Sequence, residues 1–257
     1  MTDDERSQRA ARAASFEQGA AGYARARPGY PAAAVDWLLD GVGAAPAPAR
    51  VLDLAAGTGL LTERLVARGL DVVAVDASPA MLAELTARLP TVEAHVGTAE
   101  SVPLDDGSVD AVLVATAWHW FDEAVAGREI ARVLRPGGRL GIVRNDRDTS
   151  VDWVAAFGDL LHRGDSLQRP EESFDPHPGA AFGPVERAVF PWTDTIAPSG
   201  LRALAGTRSH LLTVPDVERE AILDEVDRLA ATHPDLAGRE AVALPYVARC
   251  VRTDRAA

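Results

Sequence analysis

The run Val51-Leu-Asp-Leu-Ala-Ala-Gly-Thr-Gly59 leaves this chain few folds to choose from. It reads as a buried strand that carries a carboxylate, Asp53, near its end and then turns through a glycine loop. A helix is predicted over Leu60 to Arg68, stopped by Gly69. A second strand follows over Asp71-Val-Val-Ala-Val-Asp76 and ends on another carboxylate. Strand, glycine loop, helix and strand in this order form the first βαβ unit of a nucleotide-binding α/β sheet, with the ligand at the carboxyl ends of the strands. Gly57 and Gly59 let the backbone approach a ligand closely. Asp76 stands where a carboxylate accepts hydrogen bonds from a ribose.

Charge decides which nucleotide suits the loop. A dinucleotide site calls for Gly-x-Gly-x-x-Gly/Ala, and the frame that starts at Gly57 meets Thr62 at its third position. A pyrophosphate would also bring negative charge toward Asp53. S-adenosylmethionine (SAM) brings an ammonium and a sulfonium and no phosphate, and a carboxylate attracts a cation strongly where water is partly excluded. The loop therefore favours SAM over NAD. An NAD-dependent oxidoreductase and a glycine turn without a ligand are the competing readings.

The 257 residues suffice for a large α/β core. The net charge of −12 argues against a nucleic-acid partner and against an acidic membrane surface. All 26 basic residues are arginines, which excludes Schiff-base chemistry and a P-loop lysine. Cys250 is the sole cysteine, so no intrachain disulfide forms and a cytoplasmic location is expected. No signal peptide or membrane span is legible, and no metal-ligand spacing stands out. His162, His177 and His233 are scattered and read as exposed.

Ser78 reads as the cap of a second helix, with Pro79 in its first turn and Met81, Leu82, Leu85 and Leu89 as its apolar stripe. Strands are predicted over Val92–Val96, Val109–Val114 and Arg139–Val143. A helix capped by Asp122 runs to Leu134 and ends at the turn Arg135-Pro-Gly-Gly138. Strands alternating with helices imply a parallel sheet covered on both faces. Beyond Asn145, helices are expected around Trp153–Leu161, Ser199–Leu204 and Asp216–Ala231, the last two with their own caps. Val185–Trp192 and Ala241–Val251 read as strands. The predicted organisation is a helical arm or lid over residues 1–48, a nucleotide-binding core over 49–148, and a C-terminal half over 149–257 that completes the sheet and covers the substrate pocket. Together these make one compact domain.

With Asp53–Gly59, Asp76, Gly97-Thr-Ala-Glu100, Val109–Val114 and Arg132-Val-Leu-Arg-Pro-Gly-Gly138 in hand, the chain resembles the class I SAM-dependent methyltransferases. His119-Trp-Phe-Asp122 and Tyr23…Arg27-Pro-Gly-Tyr-Pro31 resemble a small-molecule branch that includes trans-aconitate methyltransferase-like enzymes. Thr207-Arg-Ser-His210 and Leu244-Pro-Tyr246 fit the same branch. The resemblance implies a Rossmann-like, seven-stranded, mostly parallel sheet with helices on both faces and the last strand antiparallel. It implies SAM as cofactor. The backbone of Ala55, Ala56, Gly57 and Gly59 would line the methionine portion, Asp76 would hold the ribose, and Ala77 and Met81 would flank the adenine. Ala99 and Glu100 would read the adenine edge. Two positions depart from the commoner pattern. Ala55 replaces a glycine. Thr98 replaces an aspartate, and its hydroxyl can still accept.

Methyl transfer is an in-line displacement, so the protein must align the acceptor and exclude water. The acceptor is expected to be a small molecule, with a carboxylate or hydroxyl favoured and an N or C atom left open. His119 lies just past the fourth strand, placed to act as base or to orient the acceptor. The alternative is a histidine packed between Trp118 and Trp120. Trp118 and Trp120 read as pocket wall or core. Asn145 ends the fifth strand on the same side of the sheet. Arg208 and His210 suit an anionic substrate or a surface loop. Tyr23, Arg27 and Tyr30 suit a lid or a docked arm. A SAM-binding regulatory protein without turnover is the alternative function, and a monomer and a homodimer are equally compatible with the sequence.

Overall fold

The computed structural model describes residues 26–43, 47–165 and 174–256. Residues 1–25 of the arm expected over 1–48, Tyr23 included, lie outside them. Residues 166–173 also lie outside them. In chain order the helices are α1 (Ala32–Leu39), α2 (Leu60–Val66), α3 (Pro79–Arg88), α4 (Glu123–Val133), α5 (Asp152–His162), α6 (Leu201–Gly206) and α7 (Asp216–Thr232). The strands are β1 (Arg50–Leu54), β2 (Asp71–Asp76), β3 (Glu93–Val96), β4 (Val109–Ala115), β5 (Leu134–Arg147), β6 (Glu186–Ile196) and β7 (Val242–Asp254). They form a seven-stranded sheet in the order β3-β2-β1-β4-β5-β7-β6.

β1 pairs in parallel with β2 and β4, with Asp53 opposite Ala74 on one side and Leu113 on the other. These central strands are buried almost throughout, as strands covered on both faces must be. β7 runs antiparallel. The Asp148 N–H donates to Pro245 O, whereas Gly137 and Gly138 bond to Arg255, so the partner number falls as β5 advances. β6 alternates between exposed and half-buried residues, as suits an edge strand.

The chain divides into two compact units, each assembled from three stretches of sequence. One comprises Gly29–Asn145, Phe174–Phe190 and Ala248–Ala257. Its core joins Leu52, Leu54, Val73, Val75, Val112 and Val114 of the sheet to Ile130 of α4, Phe182 and Val251. Cys250 is buried here, and burial pushes its thiol up to about 12. The other unit comprises 1–28, Asp146–Ser173 and Pro191–Val247. Its core is Trp153 and Phe157 of α5, Leu201 and Leu204 of α6, Ile222 and Val226 of α7, and Tyr246.

Local chemistry set most element boundaries as the sequence implies. Ser78 caps α3, its hydroxyl accepting from Met81 N–H at 3.3 Å. Asp122 caps α4 by accepting from Val125 N–H at 3.2 Å. Three expectations are corrected. Arg135-Pro-Gly-Gly138 does not end the segment in a free turn; it bulges within β5, because Gly137 N–H and Gly138 O find partners in Arg255. The side-chain cap expected for α7 is not formed. Pro215 occupies the cap position without a side-chain bond, and Asp216 sits in the first turn beside Arg219 at 3.1 Å. The Ser199 stretch forms a 3₁₀ turn, Pro198–Gly200, and α6 starts from Gly200 without a side-chain cap.

Candidate active site

β1 stops at Leu54, and the next residues curl back over its end. Ala55 has φ +59°, Gly57 +56° and Gly59 +86°. A left-handed alanine stores strain on the order of 1–3 kcal/mol. The loop keeps that conformation because its amides are tied down. Ala56 N–H donates to Val75 O at 3.1 Å, Gly59 N–H to Ala56 O at 3.0 Å, and Gly57 N–H to Asp76 Oδ2 at 2.8 Å. The two glycines serve different purposes. A Cβ on Gly59 would lie 2.8 Å from Leu85 Cγ, so this glycine lets α3 close on the loop. A Cβ on Gly57 would meet nothing within 4 Å, so this glycine opens the loop to whatever lies above it.

Asp76 therefore clamps the loop besides standing at the end of β2. Its Oδ1 accepts from Ser78 N–H at 2.8 Å. Each carboxylate oxygen has two lone pairs, which leaves both able to accept again. Burial raises its pKa, and the amides of Ser78, Gly57 and Ala77 oppose the rise.

Asp53 is fully buried. Its Oδ2 accepts from the Thr62 hydroxyl at 2.6 Å. Its Oδ1 meets no donor among the described residues. Burial lifts this carboxyl to about 7; the Thr62 bond opposes the shift and the nearby Asp76 adds to it. Thr62, which breaks the dinucleotide glycine pattern, is thus the group that holds Asp53 in place. The Thr58 hydroxyl and Trp118 Nε1 are also buried without a partner among the described residues. A buried polar atom left unpaired costs roughly 1–3 kcal/mol. These three orphans sit at or just beyond the carboxyl ends of β1 and β4, and a polar, partly cationic ligand would relieve them. SAM fits this set, and a pyrophosphate beside Asp53 and Asp76 does not.

On the expected adenine side, Ala77 is exposed, while Met81 and Ala99 are buried at 4% and 3% exposure. Thr98 is exposed and pairs with Ser101 through reciprocal backbone bonds of 3.4 and 3.2 Å. One oxygen of Glu100 accepts from Asp122 N–H at 2.9 Å. This ties the loop after β3 to the start of α4.

At the end of β4, Thr116 takes φ +54°, a second left-handed residue without a glycine. Its N–H donates to Val143 O at 2.7 Å, and its hydroxyl lies 3.1 Å from the Tyr30 hydroxyl. Asn145 Nδ2 donates to Gly29 O at 2.8 Å. Tyr30 and Asn145 thus fasten the segment before α1 beside the ends of β4 and β5. Thr116 was not singled out in the sequence; its only signal there is being the first polar residue after an apolar strand. A 3₁₀ turn over Trp118–Trp120 follows. Trp118 is buried edge-on against Phe121, with centroids 5.7 Å apart. His119 is exposed, its ring 4.6 Å from that of Trp120.

In the other unit, Arg27 Nε donates to the Thr207 hydroxyl and Arg27 Nη2 to Thr207 O, both at 2.9 Å. His210 is buried, with Nε2 2.9 Å from Arg163 O. Arg208 Nη2 lies 3.0 Å from His162 Nε2. His162 is half-buried, which corrects its reading as an exposed residue. His177 is exposed, and His233 keeps only a small exposed fraction. Among the described residues no three His, Cys, Asp or Glu side chains gather as a metal site, and no helix is long and apolar enough to cross a membrane.

Comparison with known proteins shows the family. The Methyltransferase domain family matches residues 52–142, from β1 to β5. An uncharacterized methyltransferase of Mycobacterium tuberculosis is 52% identical over 239 residues, covering 93% of this chain and 94% of the relative. An uncharacterized methyltransferase-like protein of Schizosaccharomyces pombe is 34% identical over 239 residues, covering 90% and 92%. A solved structure from Anaeromyxobacter dehalogenans, assigned as a type II methyltransferase, superposes with a TM-score of 0.59 at 27% identity, covering 89% of this chain and 97% of that one. This chain belongs to the class I SAM-dependent methyltransferases, enzymes that take a methyl group from SAM, here for delivery to a small molecule.

Proposed function

We propose that SAM is held at the carboxyl ends of β1, β2 and β4 and that the acceptor is presented from the segment after β4. The observation that carries this reading is the buried, unpaired Oδ1 of Asp53 beneath a glycine loop that is open at Gly57. Asp53 faces the ammonium group and Asp76 the ribose. The backbone of Ala55, Ala56, Gly57 and Gly59 lines the methionine portion. Ala77 and Met81 flank the adenine, and Thr98, Ala99 and Glu100 read its edge.

When bound, SAM supplies an electrophilic methyl group that carries its own leaving group. The remaining work falls to the chain. Trp118 and Trp120 exclude water from the acceptor side, and Tyr30 and Asn145 orient the acceptor. His119 takes the proton of a hydroxyl acceptor, or orients a carboxylate acceptor that needs no base. The HWFD and RPGYP segments resemble those of the trans-aconitate methyltransferase-like branch, and that resemblance favours a small carboxylate or hydroxyl compound as acceptor.

Calorimetric titration tests the cofactor side. Asp76→Ala is expected to weaken SAM binding by roughly 1.5–3 kcal/mol, the scale of hydrogen bonds to a charged group. Unchanged affinity would remove Asp76 from the site. Turnover tests the acceptor side. His119→Gln keeps size and polarity without proton transfer, and a base there means a loss of about 10²-fold or more with SAM affinity intact. Normal turnover in that variant would leave His119 an orienting or structural residue.

A further inference from the structure

Side chains alternate along β1. Leu52 and Leu54 pack into the core shared with Ile130 of α4, so Asp53 faces the other side of the sheet, the side that carries α2. There it meets Thr62. Both residues are fully buried, and the Thr62 hydroxyl donates to Asp53 Oδ2 at 2.6 Å. That length lies in the range of hydroxyl bonds to an ionised oxygen. Oδ1 meets no donor among the described residues. The two oxygens diverge from one carbon, so the bond that fixes Oδ2 also fixes the direction of Oδ1.

Thr62 occupies the position that the dinucleotide pattern reserves for glycine or alanine. Neither of those has a side-chain donor, so a carboxyl buried here would go without one. The other groups around Asp53 do not replace the hydroxyl. Asp76 on β2 is itself an acid, β4 presents Leu113 alongside, and Glu63 and Arg64 of α2 are exposed. Burial lifts the Asp53 carboxyl to about 7, and the hydroxyl works against that rise.

We propose that Thr62 is a positioning residue for SAM: it binds one oxygen of Asp53 and so reserves the other, Oδ1, for the ammonium group of the ligand. This rests on the reading that SAM binds at Asp53. With Oδ2 engaged as an acceptor, a proton on the carboxyl of the free protein sits on Oδ1, where the ammonium must go. Cofactor binding sends that proton to solvent, and a cation takes its place. Removing the hydroxyl releases both oxygens, so the carboxyl loses its aim and holds its proton more tightly.

The test is SAM titration of the full-length protein by calorimetry at pH 7, in buffers of different ionisation heat. Thr62→Val nearly keeps the shape and should weaken SAM roughly tenfold or more. The proton released per SAM bound should rise from about half toward one, because less of the free carboxyl is ionised. Thr62→Ser keeps the hydroxyl and should restore both readings. In an Asp53→Asn background, Thr62→Val should have a much smaller effect on affinity. If Thr62→Val does not fold, Thr62→Cys, a weaker donor, should move both readings the same way by less. Parent-like affinity and proton release in folded Thr62→Val, or a loss of the same size in the Asp53→Asn background, overturns the proposal. Full SAM affinity in Asp53→Asn by itself overturns the placement of SAM at Asp53, and the proposal with it.

Discussion

Asp53 shows how much one side chain's surroundings matter. Its carboxyl is held near 7 because it is buried, and among the described residues only Thr62 steadies it. In the unfolded chain it would titrate in the ordinary carboxylate range, so the folded state retains a proton that the unfolded state releases. The stability this contributes is complete below about pH 4 and is lost as pH rises through 7. Thermal unfolding of the parent and of Asp53→Asn should therefore draw together or cross between pH 4 and 7, then run parallel above 8. A melting-point difference that ignores pH would mean that Asp53 is ionised in the folded protein. A cationic ligand favours the ionised form, so SAM binding below pH 7 should release a proton, measurable by calorimetry in buffers of different ionisation heat. The carboxylate itself is plain in the sequence. Its environment is not, because the Thr62 bond crosses from α2 back to β1 and no local pattern encodes it.

Between elements, the outstanding junction is Arg132 on α4. Its guanidinium donates to Val102 O and Leu104 O at 2.8 Å each, to Glu129 at 2.9 Å through two bonds, and to Asp106 at 2.7 Å. Glu129 in turn accepts from Val102 N–H at 3.1 Å. The loop that carries Thr98, Ala99 and Glu100 is thereby fixed to α4. The Asp106 pair is largely exposed and contributes little. The carbonyl bonds matter more, since their loss strands backbone groups. Arg132→Ala should cost roughly 1–3 kcal/mol in denaturant unfolding and weaken SAM binding, and Arg132→Lys should recover only part of either. An unchanged unfolding midpoint would show that the loop holds itself. The elements were the most legible level of this chain. Ser78, Asp122 and the βαβ unit carry strong local signals. α1 falls within the stretch expected to be a helical arm, but its bounds were not legible; in the structure Pro31 is its N-cap, and Ala34, Val35 and Leu38 bury its inner face. The bulge in β5 went unread because Pro and Gly signal a turn, and only the distant Arg255 supplies the partners that keep it in the sheet. His162 read as exposed because its partner Arg208 is remote in sequence.

At the scale of the molecule, neither unit is one continuous stretch of chain. A fragment of residues 29–145 contains the whole matched family region and every residue proposed to hold SAM, so it resembles a separable cofactor domain. It lacks Phe182 and Val251, which complete the core around Val112 and Ile130, and it leaves the β5 edge without β7. An open edge beside a missing core wall invites association. The fragment should therefore lack a cooperative thermal transition and aggregate at micromolar concentrations. A sharp transition with full SAM affinity would show that the first half folds alone. The placement of Cys250 on β7 has a practical corollary. The chain's single thiol is buried in the strand laid down last in sequence, and burial keeps it protonated. A thiol-modifying reagent can reach it only in molecules whose final strand has come away. The protein thus carries its own stopwatch: the labelling rate of one sulfur counts how often the sheet unzips from that end.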